Sequence, residues 1–186
     1  MRAVVIIRGV RHHTEHERIL KFFEEHRREI PDFKITVLCT PNTTWEIPPT
    51  SWVTLGLLGW EGSSMEMLGY TKEQIKYYLD RARSWGFAPI LQPPNYMWDV
   101  NLLEAAKGWT IVHQPTQTPH GDGLTFFPGP KDLREKDFAM VTAEAVKLET
   151  TDALSVRNLI HSNYESFHTP LDFAVESPLP EEEQCE

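Results

Sequence analysis

The sequence predicts an α/β domain with a mainly parallel sheet, and three observations predict it. Short β-branched apolar runs recur along the chain, and segments with helical apolar spacing separate them. The first run is apolar at every position, as a strand covered on both faces requires.

Ala3-Val4-Val5-Ile6-Ile7 opens the series as a buried parallel strand. Thr14 followed by Glu17 offers a capping box, so a helix is expected from there, with Ile19, Phe22, Phe23 and Ile30 on its core face. Glu24, Glu25, Arg27 and Arg28 cover the other side. Residues 33–40 read as a second strand, 41–49 as a loop, and 52–58 as a third strand followed by an irregular segment over 59–69. Thr71 and Gln74 repeat the capping box for a helix whose core stripe is Ile75, Tyr78, Leu79, Ala82 and Trp85, ended by Gly86. A fourth strand over 87–91 stops at Pro93-Pro94, 100–107 is a short helix, and 109–113 a fifth strand. The stretch 114–132 holds too many Pro and Gly residues for regular structure, and loops of that length are usually functional. Segments 138–148, 154–161 and 171–175 complete the domain, the middle one fitting helix or strand equally. Loops that leave the C-terminal ends of parallel strands gather on one face, which brings Arg8, Leu58, Gln92, His113 and His161 together.

The whole chain is long enough for one domain with a real core, expected over 1–176, and the run 177–186 reads as a solvated acidic tail. A formal net charge of −9 argues against a broad nucleic-acid surface, which needs concentrated Lys and Arg. No apolar run is long enough to span a membrane, and residues 3–7 are too few for a signal peptide's apolar core, so a cytoplasmic location is the expectation. Cys39 and Cys185 are the only cysteines, which excludes a disulfide framework or a four-cysteine zinc site. There is no Gly-x-Ser-x-Gly elbow, Walker A loop or dinucleotide fingerprint, and nothing in the sequence sets an oligomeric state.

Four segments in order carry a further signal: Ile6-Ile7-Arg8-Gly9-Val10, Leu58-Gly59-Trp60-Glu61-Gly62, Leu91-Gln92-Pro93-Pro94-Asn95 and Leu159-Ile160-His161. Met65-Glu66-Met67-Leu68 and a helix ending at Gly86-Phe87-Ala88-Pro89 flank them. As an ordered set covering most of residues 1–175, they resemble the polysaccharide deacetylases, the carbohydrate esterases that include the nodulation and chitin deacetylases. The family's corresponding motifs are Phe-Asp-Asp-Gly, His-x-x-x-His, Arg-Pro-Pro and Leu-x-His. The resemblance implies a deformed (β/α) barrel. It also implies a site in which one Asp is the general base, while the other Asp and two histidines hold a metal that activates water. Here Arg8 and Gly9 stand at the Asp pair, and Leu58 and Gly62 at the two histidines. Leucine and glycine side chains do not ligate metal and a guanidinium repels it, so the parent reaction is expected to be lost. His161 stands where the resemblance puts the catalytic-acid histidine.

The expectation is therefore a degenerate deacetylase-like barrel that binds a small sugar-like or anionic ligand and needs no cofactor. Arg8, Arg11, Trp60, Glu61, Gln92, Asn95, Tyr96, Trp98 and His161 are the candidate ligand-binding residues. Arginines hold carboxylate or phosphate through paired, charge-assisted hydrogen bonds, and flat aromatic walls suit sugar rings or bases. Plainer roles stand beside these: Arg8 pairing with a glutamate such as Glu61, the aromatics sealing the barrel, and His161 as a core histidine. One alternative is an active hydrolase with His161 as its catalytic residue, or with zinc or another divalent metal on His12, His13, His16 and Asp122. His12 and His16 have i, i+4 spacing, but an N-cap at Thr14 leaves His12 outside the helix. The other is a scaffold for protein–protein interaction.

Overall fold

The strand with the longest apolar run takes the most enclosed position in the sheet. The computed structural model describes residues 2–42, 44–63, 65–113, 125–127, 138–162 and 164–176. In chain order these form β1 (Arg2–Val10), α1 (His13–Glu29), β2 (Ile35–Cys39), β3 (Val53–Leu58), α2 (Lys72–Ser84), β4 (Ile90–Gln92), α3 (Val100–Ala105) and β5 (Thr110–Val112). There follow β6 (Thr125–Phe127), β7 (Phe138–Glu144), α4 (Ala153–Ile160), β8 (Ser166–His168) and β9 (Val175–Glu176). The sheet order is β7-β1-β2-β3-β4-β5-β6-β9. All pairings between these strands are parallel except β6 with β9. β7 lines one edge of β1 from Arg2 to Arg8, so β8 and β2 share the other edge in tandem, β8 beside residues 2–4 and β2 from Ile6 onward. The result is a curled half-barrel with helices on its outer side, an architecture consistent with a deformed (β/α) barrel.

Alternation along each strand splits the core in two. Ala3, Val5 and Ile7 join Ile35, Val37, Cys39, Val53, Leu55, Leu57, Leu91 and Ile111 in the larger cluster, which Ile19 and Phe23 of α1 and Ile75, Leu79 and Ala82 of α2 cover. Val4 and Ile6 face the other way, with Leu38, Ile90, Val112, Phe127 and Phe173. This second set is the inner lining of the curl, and no residue of α1 or α2 enters it.

The capping box at Thr71 forms as expected: its Oγ1 accepts from the Gln74 amide at 3.2 Å and its own amide donates to Gln74 Oε1 at 2.9 Å. The one at Thr14 does not. α1 starts earlier because Glu15 reaches back to accept from the amides of Arg11 (2.6 Å) and His12 (3.1 Å), which makes His12 the N-cap. The segment 154–161 resolves as helix, since its buried residues Val156 and Ile160 are four apart, whereas a strand would bury alternate positions. Inside the expected loop, residues 125–127 pair with β5 as strand β6, and β8 is a strand the sequence does not announce. Residues 177–186, the expected acidic tail, lie outside the described residues, as does Asp122. No helix among the described residues is long and apolar enough to cross a membrane.

Candidate functional site

Continuing the inner face of the sheet to its C-terminal end replaces apolar side chains with polar ones. Val4 and Ile6 lead to Arg8, Leu38 to Thr40, Ile90 to Gln92, and Met140 to Glu144, with Leu58 at the end of β3. Arg8, Thr40, Leu58, Gln92 and Glu144 line one cavity of about 460 Å³, together with Gly9, Arg11, Gly62, Ser63, Pro94, Asn95 and Tyr96 from the loops beyond the strands. A volume of this size falls among those of small-molecule sites, roughly 300–1,000 Å³.

Arg8 is held from both sides. Arg8 and Glu144 are register partners in β1 and β7, so their side chains project side by side. Arg8 Nε donates to Glu144 Oε1 at 3.1 Å and Nη2 donates to the same oxygen, while Nη1 donates to the Tyr96 hydroxyl at 2.8 Å. The pairing with Glu61 expected from sequence is thus made by Glu144 instead. Glu144 Oε2 accepts no hydrogen bond among the described residues. It lies against Gly9, where an added Cβ would sit 3.3 Å away and where φ is +82°, at the bulge that ends β1. Across the cavity, Asn95 and Tyr96 adopt left-handed backbones in succession (φ 52° and 56°), a conformation common for Asn and unusual for Tyr.

Gln92 is 3% exposed as a residue and lines the cavity; the buried side-chain atoms left without a hydrogen-bond partner among the described residues are His16 Nδ1, Thr36 Oγ1 and Trp45 Nε1, none of them from Gln92. A primary amide on a cavity wall can both donate to and accept from a molecule that enters the cavity. Arg11 is exposed at the mouth, and its guanidinium makes no ion pair or hydrogen bond among the described residues. It rests over Gly62, where an added Cβ would lie 2.9 Å from Arg11 Nη2. Among the described residues the cavity therefore carries a paired cation, Arg8, and an unpaired one, Arg11.

Nothing in the spacing singles out Glu66, yet it shapes the wall that carries Gly62. Its buried carboxylate accepts from the amides of Trp60 and Glu61, and from that of Gly62 at 2.8 Å. Burial raises its carboxyl above the usual range, while the three amides pull the other way. The available signal was an acid inside the apolar stretch Met65-Glu66-Met67-Leu68.

Other candidates sit elsewhere. Trp60 is a core residue, 3% exposed and stacked between Tyr78 (4.9 Å between centroids) and Trp85 (5.4 Å), because it turns toward α2 and away from the cavity. Glu61 is exposed and offers only its backbone to Glu66; Trp98 packs half-buried on the outer core. Neither lines the cavity. His113 ends β5 buried, outside the cavity lining. His161 does not join Arg8. It caps the C-terminus of α4 with its ring 5.2 Å from His26, near the C-terminal end of α1, which lies at the opposite end of the sheet. His12 and His13 are exposed and share a second, smaller cavity with Arg11 and Trp45, whereas His16 is buried in the core stripe of α1. No group of three or more His, Cys, Asp or Glu residues among the described residues is placed to hold a metal ion.

Of the four segments that carry the sequence resemblance, three supply cavity residues: Arg8 and Gly9, Leu58 and Gly62, Gln92 with Pro94 and Asn95. The fourth, with His161, does not.

No protein-family model matches the chain, and no curated protein matches it. Among solved structures it is similar to a family 4 acetyl xylan esterase from Clostridium thermocellum, in complex with a cobalt ion. The two share 12% identity over 76% of this chain and 88% of that chain, with a TM-score of 0.46. A likeness at this level transfers no residue's role, so the chemistry of the cavity rests on its own lining.

Proposed function

We propose that the cavity binds a small, sugar-like anionic molecule, in a barrel of the deacetylase type that no longer carries out metal-assisted hydrolysis. The observation that carries this reading is Arg11, a guanidinium unpaired among the described residues, at the mouth of a cavity whose wall carries the Gln92 amide. A ligand hydroxyl donates to the Gln92 oxygen or accepts from its nitrogen, and a carboxylate or phosphate meets the Arg11 guanidinium. Glu144 Oε2 accepts from a second hydroxyl, and Leu58 gives the ligand an apolar surface to rest on. Lining groups that both donate and accept suit a polyhydroxylated ligand better than a purely apolar one.

Arg8, Gly9, Leu58 and Gly62, at the positions where the resemblance expects the metal site, offer no ligand atoms to a cation, and the Arg8 charge opposes one. In this reading the Arg8–Glu144 pair is an internal brace, and recognition falls to Arg11, Gln92 and the second oxygen of Glu144.

The test is thermal melting with glucose, glucuronate and glucose 6-phosphate. The reading expects at least one of the two anionic sugars to raise the melting temperature in proportion to the logarithm of its concentration, and glucose to do so less. No shift with either anion, up to concentrations where weak sugar binding is normally seen, contradicts it.

A further inference from the structure

We infer that Glu144 makes the cavity selective for ligands with a single anionic group, placed at Arg11, and an uncharged hydroxyl-bearing end placed at Glu144. This rests on reading the cavity as a ligand site.

The charges in the lining are unequal in their freedom. Arg8 has its Nε and Nη2 on Glu144 Oε1 and its Nη1 on the Tyr96 hydroxyl. Strand pairing fixes that arrangement, since Arg8 and Glu144 are register partners. What the pair presents to the cavity is the other carboxylate oxygen, Oε2, which accepts nothing among the described residues and lies over Gly9. A ligand hydroxyl donates to that oxygen. A second carboxylate or phosphate brought to Oε2 meets a like partial charge at contact distance, while the balancing Arg8 guanidinium sits on the other oxygen, Oε1. Arg11 lies over Gly62, beyond the end of β3, so the free cation and the free carboxylate oxygen stand over different elements of the cavity. A ligand bridging them is anionic at one end and neutral at the other.

The experiment uses two matched series on the full chain, by calorimetry at neutral pH: sorbitol, gluconate and glucarate, and glucose, glucose 6-phosphate and glucose 1,6-bisphosphate. In a series that binds, the singly acidic member is expected to bind about tenfold or more tightly than the other two. Glu144→Gln is expected to bring the doubly acidic member up to the singly acidic one, and Arg11→Ala to bring the singly acidic member down to the neutral one. A doubly acidic member that binds the wild type as tightly as its singly acidic partner overturns the inference and leaves the ligand site standing. So does a Glu144→Gln protein with unchanged order. If Glu144→Gln does not fold, salt provides the same discrimination in the wild type: selection against the doubly acidic member should shrink as ionic strength rises, because the groups are partly solvent-exposed. Selection that salt leaves unchanged overturns the inference. If no member of either series binds, the ligand-site reading falls and this inference with it.

Discussion

At the scale of single residues, Arg8 and Gln92 differ in what they offer a ligand. Arg8 is satisfied within the fold by Glu144 and Tyr96, so replacing it removes a brace between β1 and β7. Gln92 presents its amide on the cavity wall, where a ligand can reach it, so its side chain serves binding more than the fold. Gln92→Leu is therefore expected to leave stability unchanged or to raise it by about 1 kcal/mol, while weakening binding of any ligand that the wild type takes up. Denaturant melts of the two proteins check the first half and calorimetry the second. A large loss of stability in the variant would show that Gln92 holds the fold and has no free amide to offer. The sequence placed Gln92 at the end of a strand, and alternation from Ile90 sets its face. That it lines a cavity depends on what the neighbouring strands bring, and no local pattern encodes that.

At the scale of elements, α1 carries a consequence of its own. Its buried stripe is His16, Ile19, Phe23 and His26, so two of its four core positions are ionisable. Burial lowers the pKa of His16 below its ordinary value of 6.5, partly offset by Glu17. Burial lowers His26 as well, with help from His161 and Arg157 and against Glu25 and Glu29. As pH falls below about 6.5 the unfolded chain takes up protons at these rings and the folded chain resists, so the stability they contribute is present above that pH and lost on acidification. His16→Leu is expected to flatten the decline below about pH 6.5, by a slope approaching about 1.4 kcal/mol per pH unit. Denaturation midpoints across that range check it, and parallel curves for the two proteins would contradict it. The apolar spacing identified α1 and its buried Ile19 and Phe23, but histidine is ambiguous in such a pattern, and His16 had looked like a ligand candidate. The α2 helix was more legible because Thr71 and Gln74 make the very hydrogen bonds their spacing predicts. At the start of α1, Glu15 competes successfully with Glu17 as the residue that reaches back.

At the scale of the whole molecule, the site follows from the sheet. The inner faces of β1 and β4 are apolar at Val4, Ile6 and Ile90 before their last residues, and there Arg8 and Gln92 join Thr40 and Glu144 in a polar layer at the end of the curl. The alternation of strands and helices was readable along the chain, and so was the convergence of the ends of β1, β3 and β4. The partnership of Arg8 with Glu144 was not, because it spans 136 positions and depends on β7 returning to the edge of β1. His161 was misplaced for a related reason. A Leu-x-His triplet fits the end of a strand or of a helix equally, and only the packing of Val156 and Ile160 settles it as helix. Trp60 follows a strand end, as a ligand-facing aromatic would, but the stack with Tyr78 and Trp85 claims it for the core.

Where a ligand binds decides whether this cavity is the site. The most direct measurement is a nuclear magnetic resonance titration of the isotope-labelled chain with glucuronate and, separately, glucose 6-phosphate, following backbone amides and the side-chain signals of Gln92 and Arg11. The account predicts that at least one of the two ligands shifts the Gln92 side-chain amide, Arg11 Nε and the Gly9 and Gly62 amides together, with one saturation curve, while His161 and His26 stay still. Shifts confined to the His26–His161 end of the molecule, or no saturable shift with either ligand, would contradict it.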